Sequence, residues 1–221
     1  MVYSAEGSHA GVDYLEENKA RFIELLSGIK REGADIEGLI KKLENSDFFE
    51  APASTKYHSA LRGGLCLHSL NVYDNLKGLI MMKYGEIPFV VYDEDSIRIT
   101  ALLHDISKIN TYEITSINKK MYTEHGTKSD NLGKFEWVSE MGYRRKEDKD
   151  TYLFGTHGQN SERMISYFIP MSEEESCAII NHHSNYDNHE LNISPIYNKY
   201  SLACLLHLAD MLATYIDERT N

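Results

Sequence analysis

An adjacent histidine and aspartate interrupt an apolar helical pattern in this chain of 221 residues. The segment 101–108 reads ALLHDISK and closes a helix that the apolar spacing predicts over 94–109. A buried carboxylate is costly unless it is paired or bound to a metal ion. The fold must therefore bring a partner to His104 and Asp105, unless the dipeptide is simply the polar end of a helix.

Two other predicted helices carry polar groups of the same kind on their apolar faces. His68 lies in the helix predicted over 63–84, and Asp210 lies in the helix predicted over 199–217. A lone histidine there is usually a hydrogen-bonded core residue, whereas aspartate is seldom buried without a partner. One buried ion would satisfy all four groups, and two imidazoles with two carboxylates suit Mn, Fe, Ni, Co or Zn.

Two further histidines extend the set towards a second metal position. His157 precedes a helix predicted over 160–169, where a loop or capping role is the alternative, and His182 ends the apolar pattern of a helix predicted over 172–183. His183 would then contact either the ligands or the substrate. Asp105 is a natural bridge between two ions because a carboxylate has two oxygens.

The remaining pattern predicts an all-α fold with a small insertion. Additional helices are predicted over 12–30 and 34–45, whereas the segment 110–153 alternates weakly and predicts a β-hairpin or an irregular insertion. The three cysteines are scattered and no apolar run is long enough to cross a bilayer, so we expect a cytoplasmic protein without membrane contact. The net charge of −11 disfavours a broad duplex nucleic-acid footprint.

The order His68, His104-Asp105, Asp210 resembles the signature of the HD-domain superfamily of metal-dependent phosphohydrolases. The stretch 104–108 is similar to its HD-x-G-K form, with Ser107 where glycine is usual. The segments 48–53, 57–59 and 63–68 resemble the start of the HD domain in a bacterial 3′→5′ exoribonuclease family. Residues 45–218 also resemble small stand-alone HD proteins of bacteria and phages.

This resemblance implies a single HD domain, an all-α helical bundle over 1–221. Its N-terminal helices would occupy 1–45, the HD core 46–218 and the insertion 110–153. It also implies one or two divalent ions (Mn, Fe, Ni, Co, Zn or Mg). The implied metal ligands are His68, His104 and Asp210 for one ion, His157 and His182 for the other, and Asp105 between them.

The implied activity is that of a phosphodiesterase or nucleotidase, in which metal-activated hydroxide attacks the phosphorus of a nucleotide. Asp105 would orient the nucleophile and Lys108 would bind a phosphate oxygen, although a solvated lysine at a helix end is an equal alternative. Substrate contacts are also expected from Arg62, His58 and His183, with a surface role as the alternative for Arg62 and His58.

Two other functions are compatible with the sequence. The exoribonuclease resemblance suggests a 3′→5′ exonuclease that acts on short single-stranded RNA or DNA, for which Trp137 and Tyr143 of the insertion could stack on bases. The other alternative is a non-catalytic, metal-stabilised module that binds a nucleotide or a protein. The sequence predicts no particular oligomeric state.

Overall fold

The computed structural model describes residues 10–55, 59–85, 91–147, 155–184 and 192–219. These residues are mostly helical and include one small antiparallel sheet, as predicted. None of the helices among them is long and apolar enough to cross a membrane. The helices are α1 (Ala10–Ser27), α2 (Ile36–Glu44), α3 (Gly64–Tyr84), α4 (Glu94–Leu103), α5 (His157–Ser166), α6 (Glu173–Ile180), α7 (Ser194–Lys199) and α8 (Ser201–Leu212).

Helix α3 lies at the centre of the helical body, where it packs against α1, α4 and α8. Apolar side chains on most of its circumference are buried, as expected for a helix that is surrounded by other elements. Its central position makes α3 a rigid support for any polar group that it carries. The side chains that α3 adds to the core are Leu65, Cys66, Leu70, Val72, Tyr73, Leu76 and Ile80.

A glycine pair sets the start of α3. Gly63 has a φ of 77°, which favours glycine, and a Cβ on Gly64 would lie 2.0 Å from the carbonyl oxygen of Ser59. The chain before the helix therefore packs directly over its first turn. This close approach places Ser59 beside the buried face of α3, near His68.

The ends of several helices differ from the sequence prediction. Helix α5 begins at His157 rather than at residue 160, because Thr156 and Gln159 form a capping box. The helix predicted over 94–109 ends at Leu103 and continues as a 3-10 turn over Ile106–Lys108. The helix predicted over 199–217 begins at Ser201, and its last part is a π-helical turn over Ala213–Asp217.

The insertion is a three-stranded antiparallel sheet. It consists of β1 (Tyr112–Tyr122), β2 (Lys128–Asp130) and β3 (Gly133–Arg145), in the order β1-β3-β2. Tyr112 pairs with Arg145, so the two long strands leave the helical body together, four residues after Lys108. The hairpin alternative is confirmed for these strands, whereas residues 148–153 of the predicted insertion lie outside the described residues.

Candidate metal centre

The six predicted metal ligands come together from five different parts of the fold. Five of them are buried, with side chains no more than 10% exposed, and His157 is partly exposed. They form overlapping groups in which the ligand atoms lie within 4.8 Å of one another, close enough to hold a metal ion. The contributors are His68 of α3, His104 and Asp105 after α4, His157 of α5, His182 after α6 and Asp210 of α8.

His68, His104 and Asp210 form the first group. The Nε2 atom of His68 lies 3.3 Å from Nε2 of His104 and 3.1 Å from Oδ1 of Asp210. Ligands placed about 2.0–2.1 Å from one ion at tetrahedral or octahedral angles are about 2.9–3.4 Å apart. The spacing of these three atoms therefore fits a shared divalent ion.

His157, His182 and His183 form the second group. The Nε2 atoms of His157 and His182 are 2.9 Å apart, and each lies 3.5 Å from Oδ1 of Asp105. The other carboxylate oxygen, Oδ2, is 3.5 Å from Nε2 of His104. Asp105 thus stands between the two groups and turns one oxygen towards each.

The tautomers of two imidazoles follow from their backbone contacts. His104 Nδ1 lies 2.8 Å from the carbonyl oxygen of Ala101, and His182 Nδ1 lies 2.7 Å from that of Ile179. A carbonyl oxygen only accepts, so each Nδ1 must carry the hydrogen. In the neutral imidazole, Nε2 then presents a lone pair to the centre of the cluster, which is the orientation of a metal-ligating histidine.

His68 is held differently, by a carboxylate that the sequence analysis did not select. Its Nδ1 lies 3.0 Å from Oε1 of Glu218, which also accepts hydrogen bonds from Ser59 and Asn71. A signal was present in the sequence, because Asp210, Thr214 and Glu218 follow each other at helical spacing. On its own, that spacing does not say that the third group turns inward.

The carboxylates around His68 control its protonation. Burial opposes the charged imidazolium, but Glu218 and Asp210 outweigh it and raise the pKa of His68 to about 10. Burial also opposes ionisation of Asp210 and Glu218, yet His68 holds the pKa of each carboxyl below its ordinary value. In contrast, burial lowers the pKa of His182 to about 3, so this imidazole stays neutral.

Asp105 is a buried, ionised carboxylate with unused hydrogen-bonding capacity. Neither of its oxygens accepts a hydrogen bond of good geometry from the described residues, although Lys108 Nζ lies 2.7 Å from Oδ2 as an ion partner. Burial favours the protonated acid, but Lys108 and His104 hold the pKa of Asp105 well below its ordinary value. A buried carboxylate with free lone pairs beside four imidazoles is the environment expected around a cation.

Lys108 is buried against the cluster rather than solvated. Its ammonium donates to the carbonyl oxygen of Ala53 at 3.1 Å and forms an ion pair with Asp105. Burial would lower the pKa of Lys108, but the Asp105 carboxylate raises it. Lys108 therefore remains charged and lies beside Asp105, between the two groups.

Two of the other three residues that were expected to bind substrate differ in how close they lie to the cluster. His183 lies at the edge of the cluster, with a third of its side chain exposed and its Nε2 atom 3.7 Å from Oδ2 of Asp210. Arg62 is exposed and forms a surface ion pair with Glu50 at 3.1 Å, so the described contacts do not join it to the cluster. His58 lies outside the described residues.

Ser107 links the 3-10 turn after Asp105 to α5, the helix that carries His157. Its hydroxyl donates to the carbonyl oxygen of His157 at 2.9 Å, and Ser161 donates to Ser107 at 3.0 Å. His207 adds a further contact, since its Nδ1 lies 2.6 Å from the carbonyl oxygen of His182. These bonds hold the backbone of both ligands in place.

Comparisons with protein-family models, curated proteins and solved structures find no match for this chain. The fold and the cluster define a mostly helical protein with a buried histidine and aspartate centre that can hold a metal ion.

Proposed function

We propose that this protein is an HD-type metal-dependent phosphohydrolase, a phosphodiesterase or nucleotidase that acts on nucleotides. The observation that supports this most is the Asp105 carboxylate, which is buried between two groups of imidazoles and accepts no hydrogen bond of good geometry from the described residues. Its position fits a bridge between two ions better than a role in the core.

The donor set suits one or two first-row divalent ions. His68, His104 and Asp210 would hold one ion, His157 and His182 the other, and Asp105 would contribute to both. Imidazole-rich sites suit Mn, Fe, Co, Ni or Zn more than Mg, which prefers oxygen ligands. Such ions lower the pKa of water and neutralise the charge of phosphoryl oxygens when they are bound.

The chain's own residues would bind and orient the phosphate. The Lys108 ammonium is a fixed positive charge near the cluster and would attract a phosphoryl oxygen. His183 and His157 are the partly exposed members of the cluster, so substrate would approach from their side. Asp105, which stays ionised, would accept a hydrogen bond from the attacking water and fix its direction.

The test is hydrolysis of bis-p-nitrophenyl phosphate and of a panel of nucleotides with Mn, Fe, Co, Ni, Zn and Mg. We expect turnover that requires metal and falls by about 1,000-fold or more in His104→Ala/Asp105→Ala. Asp130→Asn, at an exposed carboxylate of β2, is the matched control and should keep activity. Metal binding without turnover on any substrate would instead favour a non-catalytic, metal-stabilised binding module.

A 3′→5′ exonuclease acting on single strands is a second candidate, and one face of the insertion favours it. Residues that pair across β1 and β3 share a face, and on one face these two strands carry five aromatic and no acidic residues. Its Ile114, Trp137 and Met141 are half or more exposed. Aromatic side chains of this kind stack on bases without reading their sequence.

This face begins beside the metal centre. Tyr112, its first residue, donates to the carbonyl oxygen of Ala53 at 3.4 Å, the same oxygen that Lys108 contacts. The cations Lys120 and Arg145 also lie on this face, although Lys120 pairs with Asp130 of β2. A strand bound at the metal centre would therefore continue along an aromatic surface without acidic side chains on β1 or β3.

A further inference from the structure

The last described part of the chain places two carboxylates on opposite sides of one imidazole. Asp210 of α8 lies 3.1 Å from Nε2 of His68, and Glu218 lies 3.0 Å from Nδ1 of the same ring. The π-helical turn over Ala213–Asp217 separates the two carboxylates, and the backbone N–H of Glu218 donates to the carbonyl oxygen of Ala213 at 3.0 Å. Local π-helical turns are frequent at functional sites.

The Glu218 carboxylate is itself held firmly. Ser59 Oγ donates to Oε2 at 2.6 Å and Asn71 Nδ2 donates to Oε1 at 3.0 Å. The side chain of Glu218 is 1% exposed, so water does not compete for these bonds. Three elements thus fix one carboxylate: the segment before α3, α3 itself and the chain end after α8.

We infer that Glu218 is a positioning residue for the metal centre: it fixes the tautomer and orientation of His68 so that Nε2 is presented to a divalent ion. A carboxylate accepts but does not donate, so Nδ1 of His68 must carry the hydrogen. Carboxylate partners of this kind also make the imidazole a stronger ligand. This inference rests on the proposed metal site and not on hydrolysis.

The arrangement makes the two metal positions unequal. His104 and His182 are oriented by neutral backbone carbonyls, whereas His68 is oriented by a charged carboxylate. Charge-assisted hydrogen bonds are stronger than neutral ones. Loss of Glu218 should therefore weaken the position built from His68, His104 and Asp210 and leave the position of His157 and His182 largely unchanged.

The test is Co²⁺ binding by the full chain, followed by calorimetry and by the visible absorption of the bound ion. We expect Glu218→Ala to weaken Co²⁺ binding at the position built from His68, His104 and Asp210 by about 10- to 100-fold. Glu218→Gln should lose less, because its amide oxygen still accepts from His68 Nδ1 and the Ser59 hydroxyl can reorient. Glu175→Gln is the matched control, since the side chain of Glu175 is as buried as that of Glu218 but accepts from Arg31 and Ser96 instead.

The outcomes separate this inference from the proposed function. The inference would be overturned if both Glu218 variants kept the wild-type affinity for Co²⁺ and only their melting temperature fell, as in Glu175→Gln. Glu218 would then have a purely structural role. A wild-type chain that binds no Co²⁺ would overturn the inference together with the metal site. If Glu218→Ala does not fold, Ser59→Ala removes one support of the carboxylate and should still weaken Co²⁺ binding several-fold. Weaker Co²⁺ binding by the Glu218 variants of a chain that hydrolyses no substrate would support the positioning role of Glu218. It would count only against the proposed phosphohydrolase activity.

Discussion

The Nε2 atoms of His157 and His182 lie 2.9 Å apart, although 25 residues separate them in the chain. The contact depends on Gly158, because a Cβ at this position would lie 2.5 Å from the carbonyl oxygen of Ile180. The first turn of α5 can therefore approach the end of α6 more closely than any side chain would allow. The second group of the cluster depends on this close approach.

Gly158→Ala should separate these two histidines. The new methyl group meets backbone rather than a flexible side chain, so α5 must move, and we expect a loss of about 1–3 kcal/mol of stability. Metal content should fall at the His157 and His182 position. Gly78→Ala is the control, since no atom lies within 4 Å of its added Cβ, and this change within α3 should stabilise the fold by about 0.5–1 kcal/mol. Equal effects of the two substitutions would contradict the prediction.

His182→Ala should empty one metal position and spare the other. The imidazole belongs to the second group, whereas His68 and Asp210 of the first group contact each other directly at 3.1 Å. In His182→Ala, the metal content per chain after dialysis against Co²⁺ should fall by about one ion. Asp210→Asn should remove the ion at the other position. Loss of all metal in both variants would mean that the cluster holds a single shared ion.

The stability of the metal-free protein and its affinity for metal should depend on pH with opposite signs. His68 has an unfolded pKa near 6.5 and a folded pKa of about 10, so its stabilising effect is complete below pH 6.5 and is lost as the pH rises towards 10. We expect the metal-free protein to lose roughly 1–3 kcal/mol between pH 6.5 and 8.5 in urea unfolding. His68→Gln should show a flatter profile.

Metal binding should show the opposite trend. An ion that takes the Nε2 lone pair of His68 displaces the proton which the metal-free ring carries, so affinity should rise by up to about tenfold per pH unit over the same range. Calorimetry in buffers of different ionisation enthalpy would count the released protons. An affinity that does not change with pH would exclude His68 as a ligand.

Trp137→Ala distinguishes the two candidate substrates. Trp137 lies opposite Lys120, eight residues along β1 from Tyr112, or about 26 Å from the start of the strand. A mononucleotide at the metal centre cannot span this distance, so its hydrolysis should be unchanged. If an oligonucleotide is the substrate, loss of one stacked base should raise its KM by about 5- to 100-fold. Val138→Ala, on the opposite face of β3, is the control.

The histidine and aspartate residues on apolar faces, together with His157 before a helix start, predicted the six side chains that meet in the cluster. This prediction worked because charged groups on an inward helix face need a partner, so their type and spacing carry the information. Helical periodicity also predicted most helices and the break at the insertion. It predicted the limits of α5 and α8 less well, because the Thr156 cap and the extended backbone at Tyr200 act through local geometry.

The sequence by itself therefore determined that this chain is mostly helical and that six histidine and aspartate side chains should meet. Only the tertiary structure decided how they meet. It placed Asp105 between two groups, turned Lys108 inward onto it and brought Glu218 to the far side of His68. These contacts join residues up to 150 positions apart, and their distances depend on how whole helices pack, which no local spacing of residues encodes.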